Sequence, residues 1–224
     1  MQINTDYLLG ILPELVTYLP VVLFIAVLSF ILAVAAGISF AVVIERKVPI
    51  LYPLLLVALS FLRGVPALVQ IFILYFGLPQ VMPALSAMSA MVAVIIALSL
   101  RTAAYLAEVF RSALLAVDQG QFEAALSVSM TRRQAYWKVI FPQAARIALP
   151  PAGTFFILIL KDTSLAFTIG VVDMFAQAKI MAAASYNFLE SYLAVGLIYW
   201  LLTAVFTYCQ SRIERWVSQP YQRN

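Results

Sequence analysis

The sequence predicts an all-α, polytopic membrane protein with five transmembrane helices, and two observations lead to this prediction. Of the 224 residues, 64% are hydrophobic and only 11% are charged, which is more apolar surface than a soluble domain of this length needs. The apolar residues also form long runs without the alternation of a membrane β-barrel strand. Each run is close to the roughly 20 residues that a helix needs to cross the hydrocarbon layer. A single membrane domain is the expected organisation.

The charges and prolines between the apolar runs define the individual spans. The five predicted spans cover residues 19–44, 53–77, 86–110, a fourth run that begins near residue 147 and leads to an outer segment at 172–188, and 189–211. Residues 1–18 carry no Lys or Arg, and we expect an interfacial helix there that is broken at Pro13. Pro150 and Pro151 are placed in the first turn of the fourth span, where proline is tolerated. The membrane domain would then cover 19–211, with a tail at 212–224.

The basic residues predict how the chain is oriented in the membrane. Ten of the fourteen Lys and Arg residues lie at loops or span ends that this topology places on one side. They are Arg46 and Lys47, then Arg111, Arg132, Arg133, Lys138 and Arg146, and finally Arg212, Arg215 and Arg223. Only Lys179 lies in an opposing loop. By the positive-inside rule the N-terminus is outside and the C-terminus is cytoplasmic in a bacterial inner membrane, so the charge of +4 indicates topology and not a nucleic-acid partner.

Residues 118–150, called the platform below, form the only long stretch of mixed polarity. Thr131 followed by Gln134 is a capping-box pattern that starts a helix, and Asp118 with Gln121 is a weaker one. We expect Pro142 to end the second of two short helices. Such a helix pair between two spans indicates a docking surface for a soluble partner. The alternative is an amphipathic pair that only anchors the chain.

Charged and polar residues inside the spans form three groups. They are Arg63 and Gln70 in span two, Arg101, Thr102, Tyr105 and Glu108 in span three, and Lys161, Asp162 and Ser164 in span four. Charges at membrane depth are expensive and usually face a cavity or a partner. Together these residues are candidates for a substrate path, opened by the Gly-x-Pro break between Arg63 and Gln70. The alternative is that they only fix helix packing, with Arg101 paired to Glu108 or Lys161 to Asp162.

An amino-acid zwitterion would fit such a path. Its carboxylate needs a donor, which Arg63, Arg101 or Lys161 could supply. Its ammonium group needs an acceptor, which Glu108 or Asp162 could supply. Thr102 and Ser164 have a second interpretation as interhelical hydrogen-bond donors. Metal chemistry is disfavoured, because the chain has no histidine and a single cysteine.

The platform resembles the EAA loop of the membrane subunits of ATP-binding-cassette importers. The resemblance rests on Glu123-Ala124-Ala125, Ser129, Val139 and Pro142, with serine where the family usually has glycine. It implies the transmembrane domain of a type I ABC importer, with a coupling loop at about 112–146. It also implies that Glu123 engages an ATPase subunit and that Ala124 and Ala125 seat the helix in a groove.

Three further segments resemble the polar amino-acid branch of these permeases. They are Arg63-Gly64-Val65-Pro66, Arg101 to Glu108, and Lys161 to Leu165. The family usually has threonine where Val65 stands and often asparagine where Arg101 stands. The arginine therefore adds a charge to the presumed path.

The resemblance implies a set of partners and a division of labour. Two permease subunits, identical or paralogous, would form the path in the lipid bilayer, and an extracytoplasmic binding protein would deliver the amino acid. No phosphate-binding glycine-rich loop with its lysine is present, so no cofactor is expected in this chain. ATP and Mg would be bound by two partner ATPase subunits.

Two other classes of function are less consistent with the sequence than an importer permease. A secondary amino-acid transporter driven by an ion gradient would use the intramembrane carboxylates to carry protons. Five spans, the lack of a visible inverted repeat and a platform without a task disfavour it. A membrane-embedded enzyme is disfavoured because no nucleophile–base set is evident.

Overall fold

The computed structural model describes residues 4–218, and within that range the chain is helical, with no β-strand. The α-helices are α1 (Thr5–Val16), α2 (Leu19–Arg46), α3 (Leu51–Gly64), α4 (Ala67–Phe72), α5 (Leu78–Val81), α6 (Ala90–Leu115), α7 (Gln119–Ser127), α8 (Arg132–Ala135), α9 (Phe141–Asp162), α10 (Met174–Ser185) and α11 (Phe188–Ser218). Two π-helical turns, Ile73–Gly77 and Tyr136–Ile140, and two 3₁₀ turns, Pro83–Ala87 and Thr163–Ile169, connect some of them.

The helices provide four to five candidate membrane spans in the described part of the chain. Four helical runs are long and apolar enough to cross a bilayer: Leu19–Arg46, Ala90–Leu115, Arg132–Ile169 and Phe188–Val217. The fifth candidate is a bent pair, in which Leu51–Gly64 and Ala67–Val81 meet at 117°. The predicted all-helical membrane architecture is therefore confirmed. The Gly-x-Pro break expected within span two, 53–77, coincides with this bend.

Packing of α2 on α6 forms the centre of the bundle. Fully buried side chains from both helices, among them Ile25 and Leu98, belong to one apolar cluster that also receives α9 and α11. At Gly37 the helices approach so closely that a Cβ atom would lie 3.0 Å from the Cβ of Leu106. Small residues allow this approach where hydrophobic burial from water cannot drive helix association. The α2–α6 contact is thus the frame on which the other helices are placed.

The N-terminal helix α1 is continuous through Pro13, so the predicted break at that residue is wrong. Tertiary contacts hold the helix in place. The backbone N–H of Asn4 donates to Glu190 of α11 at 3.0 Å, and the Gln177 amide donates to Glu14 at 2.6 Å. The Tyr7 hydroxyl accepts from Ser185 of α10 at 2.7 Å. These contacts offset the local penalty of the proline.

Pro142 does not end a helix, contrary to the prediction. The helical run continues without interruption from Arg132 to Ile169. A π-helical turn at Tyr136–Ile140 precedes α9, and Pro142 then lies in the first turn of α9. In the first turn of α9 the N–H that proline lacks would have no partner within that helix. The preceding π-helical turn, which is wider than an α-helical turn, lets the chain continue into α9.

The fourth span also begins earlier than predicted. Pro150 and Pro151 lie inside α9 and not in its first turn. A partner on another helix supports this site, because the Gln210 amide of α11 donates to the Pro150 carbonyl at 2.9 Å. Neighbouring helices commonly satisfy backbone groups near prolines in membrane helices.

The helix of the last span extends beyond the predicted end of that span. Helix α11 passes residue 211, where the span was expected to end, and reaches Ser218. Residues 212–218 of the predicted tail are therefore helical, and 219–224 lie outside the described residues. Near this end the Arg212 guanidinium donates to the Tyr208 hydroxyl at 2.6 and 2.9 Å.

Candidate translocation path and coupling platform

One buried side-chain amide, that of Gln70, stabilises the bend between α3 and α4. Val65 is extended, as expected for a residue before proline, and this ends α3. The Gln70 side chain is only 6% exposed, and its Nε2 donates to the carbonyls of Leu62 and Val65, both at 2.8 Å. Its Oε1 is buried without a hydrogen-bond partner among the described residues. Gln70 therefore stabilises the broken backbone at membrane depth.

An ion pair joins α6 to the C-terminal end of α9. Arg101 Nη1 lies 3.1 Å from Asp162 Oδ2, and the two side chains are 26% and 31% exposed. Arg101 is the twelfth of the 26 residues of α6, roughly 17 Å from the start of that helix. The observed pair differs from both pairs that the sequence suggested, Arg101 with Glu108 and Lys161 with Asp162. The Nε of Arg101 is buried without a described partner.

Tyr105 connects this ion pair to the bend. Its hydroxyl donates to the backbone carbonyl of Arg63 at 3.1 Å, and its ring stacks on Phe155 of α9 with centroids 5.3 Å apart. The Arg101 guanidinium carbon lies 5.7 Å from the centre of the same ring. One side chain thus contacts α3 and α9 from α6. Thr102, by contrast, is buried, with 4% exposure.

Glu108 and Arg111 form a second ion pair, within one turn of α6. Arg111 donates to both carboxylate oxygens of Glu108, at 2.7 and 3.4 Å. The pair borders a cavity of about 410 Å³ between α2, α3 and α6. Arg63, Glu45 and Lys47 also line this cavity. The cavity is therefore a charged pocket beside the C-terminal part of α6, the helix that precedes the platform.

A second cavity, of about 420 Å³, lies near the opposite end of the bundle. Lys161 and Ser164 line it together with Phe175, Tyr192 and Tyr199. The Ser164 hydroxyl donates to the Lys161 carbonyl at 2.9 Å, which satisfies it within its own turn. Lys161 is exposed, while its neighbour Asp162 turns toward Arg101.

Asp173 and Tyr199 are part of this region, but the sequence reasoning did not select them. Asp173 is fully buried and caps α10, accepting from the Ala176 N–H at 2.8 Å. The Tyr199 hydroxyl donates to its other oxygen at 3.4 Å. Burial raises the pKa of Asp173 to about 6. The signal that could have found it is an Asp directly before an apolar helix, which is typical of an N-cap.

The platform begins with a capped helix and a tight turn. Asp118 caps α7 by accepting from the Gly120 N–H at 2.7 Å. After α7, Ser129 adopts a left-handed conformation with φ of 65°. The Met130 N–H donates to the Ala125 carbonyl at 3.2 Å and the Ser129 N–H to the Leu126 carbonyl at 3.0 Å, which is the Schellman pattern. Serine thus forms the turn that glycine usually forms.

The second platform helix begins with the predicted capping box, which is confirmed. The Gln134 backbone N–H donates to the Thr131 hydroxyl at 3.3 Å, and the side-chain Oε1 of Gln134 accepts from the Thr131 backbone N–H at 2.8 Å. Beyond it, rings of Tyr136, Trp137 and Phe141 contact one another, with centroids 5.1 to 5.7 Å apart. All three side chains are exposed, and Trp137 is 65% exposed.

The Glu-Ala-Ala stretch divides between the surface and the interior. Glu123 and Ala124 are exposed, whereas Ala125 is 5% exposed and contacts its own chain. Val139 is half-buried against a small apolar cluster, and Pro142 is exposed. That cluster joins α6 to α9, with Ala113 from the first and Ala144 from the second. The platform is therefore attached to the two helices that carry the Arg101–Asp162 pair.

Comparison with known families adds an independent result. Residues 33–219 match the family model described as "Binding-protein-dependent transport system inner membrane component". Among curated relatives, "Probable amino-acid permease protein YxeN" of Bacillus subtilis (strain 168) is 48% identical over 98% of both chains. "Probable amino-acid ABC transporter permease protein PatM" of Vibrio harveyi is 41% identical over the full length of both chains.

Solved structures agree with the family match. A chain in the crystal structure of an amino acid ABC transporter with histidines has a TM-score of 0.86 and 31% identity, over 96% of this chain and 99% of that one. A chain of the inward-facing MetNI methionine ABC transporter has a TM-score of 0.73 at 18% identity, which supports the fold alone. The fold is therefore that of a type I ABC importer transmembrane domain. The chain belongs to the family of inner-membrane components of binding-protein-dependent transport systems, and it is a membrane-embedded transport subunit.

Proposed function

We propose that this chain is the permease subunit of an ATP-driven importer of polar amino acids. Its near-full-length relatives carry amino-acid permease names, which supports this substrate class. One structural observation carries the mechanism. The same two helices, α6 and α9, hold the Arg101–Asp162 ion pair and, toward the C-terminal end of α6 and the N-terminal end of α9, the platform. A displacement of the platform would therefore reach the ion pair through two rigid helices.

The proposed membrane topology places the platform in the cytoplasm, with the N-terminus outside and the C-terminus inside. The concentration of basic residues on the platform supports it, because Lys and Arg accumulate on the cytoplasmic side. With this orientation the Lys161 cavity opens toward the outer side and the Glu108 cavity toward the inner side. An extracytoplasmic binding protein would release the amino acid near the first cavity.

The path residues would have distinct tasks. Gln70 and Thr102 are buried, so they would hold the backbone and the helix packing. Arg101, Asp162, Lys161, Arg63 and Glu108 have exposed or half-exposed side chains and would face the substrate and the second permease subunit. Tyr105 and Ser164 would position their neighbours. The chain would pair either with a second copy or with a paralogue to complete the path.

The platform would couple this path to two ATPase subunits, which would bind ATP and Mg. Glu123 and Ala124 on the exposed side of α7, next to the Tyr136–Trp137–Phe141 ring cluster, form a surface with both charge and apolar area. Exposed apolar patches of this kind mark protein interaction sites. Ala125 and Val139 would fix α7 against the chain, and the Ser129 turn and Pro142 would set its direction. Closure of the ATPase pair would move this surface and reorient α6 and α9.

The test of coupling is the charge reversal Glu123→Lys in the complete reconstituted complex. We expect loss of the ATPase stimulation that loaded binding protein produces, and at least about a tenfold decrease in uptake. A tenfold decrease corresponds to about 1.4 kcal/mol. Asp6→Lys on α1 is the control, because it makes the same charge change at an exposed carboxylate outside the platform and its contacts. Stimulation that stays at the wild-type level in Glu123→Lys contradicts the proposed role. Uptake that proceeds without ATP contradicts the ATP-driven mechanism.

A further inference from the structure

We propose that the path of this permease favours amino acids with an additional carboxylate and excludes cationic ones, and that Arg101 sets this preference. The inference rests on the proposed function, because it assumes that the intramembrane charges face the substrate. It goes further by naming the substrate class and the residue that determines it.

The two acidic residues of the path, Asp162 and Glu108, are already paired. Asp162 is paired with Arg101 at 3.1 Å. Glu108 receives two bonds from Arg111, at 2.7 and 3.4 Å. To bind either carboxylate, a cationic side chain of a substrate would have to separate an existing arginine–carboxylate pair. Glu45, at the end of α2, borders only the cavity near the platform, where the cations Lys47, Arg63 and Arg111 outnumber the carboxylates.

Two cations on the path, Lys161 and Arg63, have no acidic partner within salt-bridge distance among the described residues. Lys161 lines the outer cavity beside Ser164, Tyr192 and Tyr199. Arg63 donates only through Nε, to the Leu59 carbonyl at 3.3 Å, so the terminal nitrogens of its guanidinium are available to a ligand.

The net charge is positive both at the Arg101–Asp162 pair and in the cavity near the platform. At the pair, the charges of Arg101, Lys161 and Asp162 sum to +1. The cavity near the platform has three cations, Lys47, Arg63 and Arg111, against two carboxylates, Glu45 and Glu108, which also gives +1. Charges in a low-dielectric environment interact over longer distances than in water. An anionic group is therefore attracted along the path and a cationic one is repelled.

Arg101 is the position at which this balance can be changed most simply. Its guanidinium neutralises Asp162, and its Nε is buried without a described partner, so the Asp162 contact is its one described ion pair. Replacing Arg101 with glutamine would release the Asp162 carboxylate and change the local sum from +1 to 0. Replacing Asp162 with asparagine would release the arginine and change the sum to +2.

The experiment is competitive equilibrium binding to the permease–ATPase complex in nanodiscs, without binding protein, because the binding protein would impose its own selection. The probes are radiolabelled glutamate, glutamine and arginine, whose side chains are negative, neutral and positive. For wild type we expect glutamate to bind most tightly and arginine least. We expect Arg101→Gln to move the glutamate-to-arginine affinity ratio toward arginine by at least about tenfold. Asp162→Asn should move the ratio the other way.

Controls and outcomes separate this inference from the proposed function. Arg215→Gln makes the same chemical change on an exposed part of α11 and should leave the ratio unchanged. Equal wild-type affinity for arginine and glutamate overturns the preference, and an unchanged ratio in both path variants overturns the role of Arg101. If Arg101→Gln does not assemble, the opposite shift expected in Asp162→Asn decides the question alone. If the complete complex with binding protein shows no ATP-dependent uptake of any polar amino acid, the proposed function fails, and the inference fails with it.

Discussion

The path and the platform of this chain are held in shape by contacts of very different range. In the path, the Tyr105 hydroxyl bonds a carbonyl 42 residues away, and Arg101 pairs with a carboxylate 61 residues away. In the platform, Asp118 bonds the N–H two residues on, and Thr131 and Gln134 cap each other three residues apart. The platform can therefore keep its shape while it moves as a unit. The path keeps its geometry only while α3, α6 and α9 stay in contact.

The largest expected effect tests the long-range side of this comparison. Asp162→Leu would leave Arg101 without its partner at membrane depth, and we expect a loss of about 3 kcal/mol in unfolding free energy. Denaturant unfolding of the purified chain in detergent measures it. The double variant Arg101→Leu with Asp162→Leu should recover most of that loss, because it removes the unpaired charge. A double variant as unstable as the single one would contradict the interpretation.

The second effect tests a long-range contact that carries no charge. Gln70→Leu would leave the carbonyls of Leu62 and Val65 unpaired in the bend, at an expected cost of about 2 kcal/mol. The control is Gln80→Leu, whose exposed amide also bonds a carbonyl, that of Phe76 at 3.0 Å. There the expected change is within about 0.5 kcal/mol. Equal effects at the two positions would show that burial of the amide is unimportant.

The third effect moves to the platform, where the contacts are local. Thr131→Ala removes the capping hydroxyl, and we expect a cost of about 1 kcal/mol. It should appear as faster amide hydrogen exchange confined to residues 131–140. Thr131→Ser retains the hydroxyl and should keep most of the protection. Faster exchange near Arg101 in the alanine variant would contradict the independence of the platform from the path.

The smallest effect has the opposite sign. Ser129 has a positive φ, a conformation that costs a non-glycine residue roughly 1–2 kcal/mol. Glycine avoids this cost but loses more conformational entropy on folding, so the net gain is smaller. We expect Ser129→Gly to stabilise the platform by about 0.5 kcal/mol. Ser127→Gly, two residues earlier and inside α7, should destabilise it by a similar amount. Changes of the same sign at both positions would be inconsistent with the Schellman turn.

Local physics explains which parts of the fold could be predicted from the sequence. Apolar runs of span length predicted a helical membrane protein, and the Thr131–Gln134 pattern predicted a helix start that the structure contains. Pro66 correctly predicts the break in span two, whereas the local penalties of Pro13 and Pro142 predict helix ends that the structure does not have. A π-helical turn accommodates Pro142, contacts with α10 and α11 hold α1 past Pro13, and a partner on α11 supports the region of Pro150.

The candidate site shows the same limit more sharply. The spacing of Arg101 and Glu108 correctly places them on one face of α6, but seven residues separate them by about 10 Å along the axis. Each charge therefore pairs with whatever the fold brings nearer, which is Asp162 of α9 for Arg101 and Arg111 for Glu108. Glu108 found its partner within its own helix turn, so a local search could have identified that pair. The partner of Arg101 required knowledge of which helix lies beside α6.

By itself the sequence determined the helical class, the number of apolar runs, the charged ends of those runs and the local caps of the platform. These features depend mainly on side chains within a few residues of one another. Only the tertiary structure decided the 117° angle at the break that Gly64-Val65-Pro66 predicts, the continuity of the helices through Pro13 and Pro142, and the partner of each intramembrane charge. The physical reason is that a charge or a free carbonyl in a low-dielectric interior must be satisfied by the nearest suitable group. Which group is nearest depends on how α2, α6 and α9 pack together.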